Sequence, residues 1–274
     1  MDRIIKPFIL LFTALVTILS YETLQEIIYF YIPMPPFSLE KNYFFIDTIC
    51  CAVMVVVYGF LYHRIYQHTA KKPILPSLQS ILPCSIITLG AGGISLLWFI
   101  ISDYLSASIP LLAQSMESFN ETWSTLYQEP YYWSFLSVAF LGPLVEELIF
   151  RGLVFNLLEK VRPGWFPVIG SAIAFGIWHG EPVQMVYTAI IGIFLAIIYQ
   201  RTHSLILCSY IHILNNSLST LPPAWDTDQV HTILGIISYA LILPALYLTY
   251  RIVLESKHPS LTTNTLHLKG SDQD

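Results

Sequence analysis

The chain is dominated by apolar stretches that are too long for β-strands and are separated only by short polar or proline-marked breaks. A helix needs about 20 apolar residues to cross a bilayer. Only 11% of the 274 residues are charged and 55% are hydrophobic, whereas a soluble domain has about 25% charged residues. The sequence therefore predicts an all-α, polytopic integral membrane protein with about eight transmembrane helices. They are expected at residues 7–30, 43–62, 81–101, 131–158, 165–180, 183–200, 204–221 and 230–252.

The charge balance and the cysteines exclude several classes of protein. The 13 Lys and Arg residues are outnumbered by 18 Asp and Glu residues, so the chain has no basic surplus with which to bind nucleic acid. Aromatic residues make up 14% of the chain, which is too many for a disordered protein. All four cysteines lie inside apolar stretches without metal-binding spacing, so they are predicted to be small buried hydrophobic residues. They are Cys50, Cys51, Cys84 and Cys208.

The basic residues are distributed unevenly among the predicted loops. When alternate loops are counted, Lys41 lies alone on one side and Arg151 lies inside a predicted helix. Cytoplasmic loops retain Lys and Arg, so both termini are expected in the cytoplasm. The expected location is the plasma membrane. The basic start of the chain is not followed by a small-residue cleavage site, which favours an uncleaved first helix. The other eleven basic residues all lie on the opposite side from Lys41, the predicted cytoplasmic side. They are Arg3, Lys6, Arg64, Lys71, Lys72, Lys160, Arg162, Arg201, Arg251, Lys257 and Lys269.

The fourth predicted helix carries three ionisable residues, each of which costs about 2.5–3.5 kcal/mol near the centre of a bilayer. Glu147 and Arg151 are spaced i and i+4, so they share one face of a helix and can pair. Glu146 is turned about 100° away and is left without that partner. Pro143 is predicted to bend the helix and to open space beside Glu146. A buried pair that only locks two helices together is the alternative interpretation.

Two further helices carry polar residues at a similar depth. The fifth predicted helix ends with Phe175-x-x-x-His179, and the seventh contains His212-x-x-x-Asn216. At about 1.5 Å per residue from the inferred cytoplasmic ends, these side chains and Glu146 lie about 12–21 Å deep in a core of about 30 Å. The i, i+4 spacing of His212 and Asn216 can present two donors to a developing oxyanion.

These residues also carry a family resemblance. The order Glu146-Glu147-x-x-x-Arg151, Phe175-x-x-x-His179 and His212-x-x-x-Asn216, on three separate predicted helices, resembles the CPBP intramembrane protease family. This family groups eukaryotic prenyl-CAAX endoproteases with bacterial bacteriocin-processing and bacteriocin-immunity proteins, and it is also called the Abi family. The resemblance covers about residues 131–221.

The resemblance implies an intramembrane endopeptidase that hydrolyses peptide bonds without forming a covalent intermediate with the substrate. Glu146 and His179 would activate a water molecule, and His212 and Asn216 would hold the oxyanion. Glu147, Arg151 and Phe175 would support the site. No cofactor is expected, but zinc is a possible alternative, in which case its ligands would be Glu146, His179 and His212.

The predicted organisation has three parts. Residues 1–130 would form helices 1–3 and an external loop long enough for a small amphipathic element, residues 131–221 the protease core, and residues 222–274 the last helix and a cytoplasmic tail. The expected partners are the lipid bilayer and a membrane-associated peptide or protein substrate. Prenylated CAAX proteins, bacteriocin precursors and other membrane regulators are equally compatible with the sequence. A catalytically idle immunity-type protein and a proton-coupled transporter remain alternatives.

Overall fold

The computed structural model describes residues 2–31, 39–66, 77–124 and 128–257, and all regular secondary structure in these ranges is helical. The first three helices are α1 (Asp2–Tyr31), α2 (Leu39–Tyr66) and α3 (Leu78–Ser106). They cover the first three predicted stretches. Part of what the sequence predicts lies outside the described residues, namely the breaks at Pro33, Pro35, Pro36, Pro73 and Pro76, the basic residues Lys71, Lys72 and Lys269, and the polar tail.

The predicted external loop contains α4 (Pro110–Ser124), which matches the small amphipathic element expected there. This helix packs against the start of a later helix rather than standing free. The Ser115 hydroxyl accepts a hydrogen bond from the Val183 backbone N–H at 3.0 Å, and the Ser118 hydroxyl donates to Glu181 at 2.8 Å. The loop therefore contributes to the tertiary structure of the core.

The fourth predicted stretch forms one continuous helix over residues 131–161, called α5 below. Two π-helical segments interrupt its α-helical geometry. Its consecutive parts are Tyr131–Ser134, the π-helical Phe135–Leu141, Gly142–Glu147, the π-helical Leu148–Phe155 and Asn156–Val161. π-helical turns are rare and occur frequently at functional sites, and the two carboxylates predicted from the sequence lie between them.

The remaining helices are α6 (Trp165–Trp178), α7 (Pro182–Thr202), α8 (Leu205–Ser219), α9 (Asp228–Ala240) and α10 (Ile242–Lys257). The single helix predicted over 230–252 is wrong, because α9 and α10 meet at an angle of 44° around Leu241. Pro244 explains the break. In a continuous helix its ring would clash with the carbonyl of residue 240, and proline has no N–H to donate to that carbonyl.

The chain is an all-α polytopic membrane protein. Among the described residues, four helices are individually long and apolar enough to cross a bilayer, and the bent α9–α10 pair makes a fifth candidate. The count is lower than eight because α6 and α8 have only 14 and 15 residues, which is about 21–23 Å of helix. Helix α5 contains Glu146 and Glu147 between its π-helical segments and Arg151 inside the second of them. The number of eight membrane crossings therefore stays a prediction.

Two clusters of buried apolar side chains meet at α5. One joins α3, α7 and α8, and the other joins α1, α2 and the middle of α5. Helices α6 and α7 pack so closely that a Cβ at Gly176 would lie 2.6 Å from the Met185 carbonyl oxygen. Large apolar side chains cover the outside, where Phe8, Val56 and Leu243 are 69–77% exposed, as suits contact with lipid.

Candidate active site

Glu147 is the centre of a buried ionic network. Its Oε1 atom accepts hydrogen bonds from Arg151 Nη1 and from His212 Nδ1, each at 2.9 Å. The Glu147 and Arg151 side chains are both 0% exposed. The i, i+4 pairing predicted from the sequence is therefore present, and the structure adds His212 from α8 as a second donor that the sequence did not indicate.

Arg151 links this network to two neighbouring helices. Its Nη2 atom donates to the Gly192 carbonyl oxygen of α7 at 3.1 Å, and its guanidinium lies 4.7 Å from the centre of the Phe175 ring of α6. A guanidinium over an aromatic face is a stabilising cation–π contact. Glu147, Arg151 and Phe175 thus hold α5, α6, α7 and α8 in one arrangement.

Glu146 faces away from Arg151, as the helical geometry predicts, and lies beside His212. Its Oε2 atom is 3.4 Å from His212 Nε2 and has no hydrogen-bond partner within the described part of the chain. The side chain is 15% exposed. His212 therefore stands between two carboxylates, with Nδ1 on Glu147 and Nε2 towards Glu146.

The hydrogen bonds of His179 define which of its ring nitrogens is free. His179 Nδ1 lies 2.8 Å from the Phe175 carbonyl oxygen. A carbonyl oxygen only accepts hydrogen bonds, so Nδ1 carries the proton and Nε2 keeps its lone pair. The ring is wedged between Phe175 and Trp178, at centroid distances of 4.7 and 5.2 Å. His179 is thus presented as a proton acceptor from the C-terminal end of α6.

Asn216 lies one helical turn from His212 and is already partly engaged. Its Nδ2 atom donates to the Val138 carbonyl oxygen of α5 at 2.9 Å, and its Oδ1 atom accepts from Asn215 Nδ2 at 3.2 Å. A carboxamide nitrogen carries two hydrogens. One N–H of Asn216 is therefore used inside the protein and one remains for another acceptor.

One cavity of about 400 Å³ collects these residues. Glu146, His179, His212 and Asn216 all line it, together with Phe175, whereas Glu147 and Arg151 lie behind its wall. The structure thus brings the four predicted catalytic side chains together from three helices. Their catalytic roles stay predictions.

The cavity also contains an acidic residue that the sequence reasoning missed. Asp47 of α2 lines it and accepts a 2.6 Å hydrogen bond from the Tyr29 hydroxyl of α1. Gln25 Nε2 donates to the same hydroxyl at 3.0 Å. The signal was present in the sequence, since Asp47 is an ionisable residue inside a predicted transmembrane helix. The first two helices therefore supply part of the cavity wall.

A second cavity of about 390 Å³ adjoins the first and is mostly apolar. The two cavities share five lining residues from α4, α7 and α8, which are Trp123, Tyr187, Ile191, Asn215 and Ser219. Its far wall is formed by α3 and α9. The polar cavity therefore opens beside a space that suits an apolar group.

The residues named for a zinc site do not form one. Within residues 2–31, 39–66, 77–124 and 128–257, no three His, Cys, Asp or Glu side chains are grouped so that they could hold a metal ion. His212 Nδ1 is bonded to Glu147, and its Nε2 faces Glu146. These residues do not fit zinc as arranged, and we derive no step through a metal. Metal independence itself stays a prediction.

The cysteine prediction is confirmed, because all four cysteines are buried and none forms a disulfide within the described part of the chain. Cys51 lines the polar cavity, where its Sγ atom donates a long hydrogen bond of 3.9 Å to Asp47 Oδ2. The cysteines therefore act as packing residues.

Part of the chain is similar to known or putative membrane peptidases. Residues 128–218 match the family model "Type II CAAX prenyl endopeptidase Rce1-like". Over 79 residues the chain is 28% identical to "Putative membrane peptidase YdiL" of Bacillus subtilis (strain 168), a match that covers 29% of this chain and 32% of that protein. No solved structure matches the chain significantly. Residues 128–218, which contain all the site residues predicted from the sequence, are thus similar to a family of CAAX-type membrane endopeptidases, in line with the CPBP resemblance of the sequence motifs.

Proposed function

We propose that this protein is an intramembrane endopeptidase that hydrolyses peptide bonds of membrane-associated proteins or peptides. The observation that carries the proposal is the convergence of Glu146, His179, His212 and Asn216 from three helices on one cavity. Ionisable groups placed inside a membrane are costly and usually functional. The matched family and the membrane peptidase relative support the reaction class.

Glu146 is the proposed general base. Its Oε2 atom has no hydrogen-bond partner within the described residues, so it is available to accept a proton from a water molecule. His179 Nε2 presents a second lone pair to the same cavity. A water molecule held between these two acceptors is oriented to attack a peptide carbonyl, and Glu146 later returns the proton to the leaving amine. The water oxygen ends in the new carboxyl group.

His212 and the free N–H of Asn216 are the proposed donors to the oxyanion. With His212 Nδ1 donating to Glu147, the ring donates through Nε2 only as the imidazolium. A preorganised pair of donors in a site shielded from water stabilises the developing negative charge strongly.

The proposed substrate carries a bulky apolar group next to the bond that is cleaved. This follows from the apolar cavity that shares a wall with the catalytic one. Gly235 lines this cavity and has open space where a Cβ would be, and Gly92 has only Asn215 Oδ1 at 3.9 Å. Gly235→Leu, whose Cβ meets no other atom, should therefore reduce the free volume of the cavity, raise KM for substrates with large apolar groups and leave KM for small ones unchanged. Gly59→Leu, also in open space but away from both cavities, is the control.

The test of the reaction is cleavage of a membrane-peptide library by the purified protein in ¹⁸O-labelled water. We expect one ¹⁸O atom in each new carboxyl group, detected by mass spectrometry. Glu146→Gln should abolish cleavage, whereas Glu26→Gln, an exposed glutamate of α1 outside the cavity, should not. Near-normal cleavage by Glu146→Gln would contradict the proposed role. If the protein in liposomes carries protons but cleaves no peptide, it is a transporter instead. If it shows neither activity, it is a catalytically idle protein.

A further inference from the structure

The helix that carries Glu146 leaves one backbone carbonyl without a donor. In the π-helical segment Phe135–Leu141, the Gly142 N–H donates to the Ser137 carbonyl oxygen. The next donor along the helix would be residue 143, but Pro143 has no N–H. The Val138 carbonyl therefore receives no backbone hydrogen bond from residue 142, whose N–H bonds to Ser137, or from residue 143, which has no N–H.

Gly142 and Pro143 act together in this turn. A Cβ at Gly142 would lie 2.6 Å from the Ser137 carbonyl oxygen, so a larger residue would not permit the π-helical turn as built. Pro143 is buried. The dipeptide thus creates a free acceptor at Val138, which lines the catalytic cavity.

Asn216 supplies the missing donor from another helix. Its Nδ2 atom lies 2.9 Å from the Val138 carbonyl oxygen, across the cavity wall between α8 and α5. Buried backbone carbonyls are nearly always paired, so the requirement of Val138 orients the Asn216 carboxamide. Asn215 fixes the other end of the same carboxamide by donating to its Oδ1 atom.

We propose that Pro143 is a positioning residue for Asn216. By removing the helical donor to Val138, it makes the Asn216 side chain bond there, and this bond directs the second N–H of Asn216 into the cavity. The proposal rests on the proposed peptidase function for its catalytic consequence. The contact itself can be tested without any activity.

The first measurement is the NMR signal of the Asn216 side chain. Selective ¹⁵N labelling of asparagine gives six side-chain amide pairs, one for each asparagine in the sequence, and the Asn216→Ala spectrum assigns the pair. Pro143→Ala returns an N–H at residue 143 that competes for the carbonyl. We expect the chemical shifts of the Asn216 and Asn215 side-chain amides to change, whereas those of Asn42, Asn120 and Asn156 should stay the same.

The second measurement is a kinetic double-mutant cycle. Misplacement of a catalytic group by about 1 Å can cost about 100-fold in rate, so Pro143→Ala should lower kcat about 10- to 100-fold with little change in KM. In an Asn216→Ala background, Pro143→Ala should have no further effect. Pro83→Ala, which removes a proline inside α3 outside both cavities, is the control and should leave kcat and the asparagine signals unchanged.

Unmoved Asn216 signals in Pro143→Ala would overturn the proposal, whatever the activity. Additive losses of kcat in the double mutant would also overturn it, because Pro143 would then act independently of Asn216. If the wild-type protein cleaves no peptide, the proposed peptidase function fails, and the NMR signals alone decide whether Pro143 positions Asn216.

Discussion

The sharpest prediction concerns Glu147, which accepts two hydrogen bonds in a site with no exposure. Glu147→Gln removes the charge that compensates Arg151, whose side chain is also 0% exposed. Breaking a buried ion pair by removing one partner costs about 3–5 kcal/mol, because the other charge is left uncompensated. The stability of a folded domain is only about 5–15 kcal/mol. The substitution should therefore remove a large part of it.

The expected change in Tm follows from the same numbers. A destabilisation of 1 kcal/mol lowers the Tm of a domain of 150–250 residues by about 2–4 °C, so Glu147→Gln should lower it by about 6–20 °C. The assay is size-exclusion chromatography of the detergent-solubilised protein after heating. Glu146→Gln is the matched control, since Glu146 is adjacent in sequence, is partly exposed and makes no pair with Arg151. It should accumulate normally and change the Tm by no more than about 2–4 °C.

Arg151 provides the reciprocal test of the pair. Arg151→Leu should also destabilise the protein, because Glu147 then keeps a buried charge with His212 as its remaining donor. Removing both charges together should cost less than the sum of the two single substitutions, since the uncompensated charge is the main penalty. An unchanged Tm for Glu147→Gln, or additive losses in the double variant, would refute the reasoning.

Three other predictions follow from the site and the topology. Single cysteines placed at the exposed positions Glu117 and Asp228 should react with an impermeant reagent from outside the cell, and one at Arg162 only after permeabilisation; the opposite pattern would contradict cytoplasmic termini. Peptide cleavage should survive exhaustive chelation, because no metal is needed to activate the water; activity lost on removal of one bound zinc and regained on its return would favour the metalloprotease alternative. His179→Ala should abolish cleavage and lower the Tm less than Glu147→Gln does, because it leaves no buried charge uncompensated. Asn216→Ala should retain activity reduced about 10²–10³-fold, as for loss of one oxyanion donor; equal, complete losses of activity in the two variants would remove Asn216 from the oxyanion role.

Local geometry made much of this site predictable from the sequence. The i, i+4 spacing fixed the pairing of Glu147 with Arg151, and the 100° between adjacent helical residues turned Glu146 towards another neighbour. The apolar stretches located the helices within a few residues. These predictions needed only helical periodicity and the cost of burying charge.

The remaining features depend on contacts between distant parts of the chain. The bond from His212 to Glu147 joins residues 65 apart, and no spacing rule reports it. The π-helical segments around Glu146 depend on packing as well as on Gly142 and Pro143, so Pro143 indicated a bend but not its form. Asp47 could have been found by the same argument that selected Glu146, whereas its contact with Tyr29 could not.

His212 contacts both Glu147, which belongs to the buried ionic network, and Glu146, the proposed general base. Its Nδ1 bond to Glu147 orients the ring so that Nε2 lies beside Glu146, 3.4 Å from the Oε2 atom of that residue. A neutral glutamine at 147 still accepts a hydrogen bond, but one to a charged group is roughly twice as strong. Glu147→Gln should therefore reduce kcat even well below its Tm, where the protein is fully folded. Measured at about 10 °C with the folded fraction checked by chromatography, a kcat equal to that of the wild type would show that Glu147 only stabilises the fold.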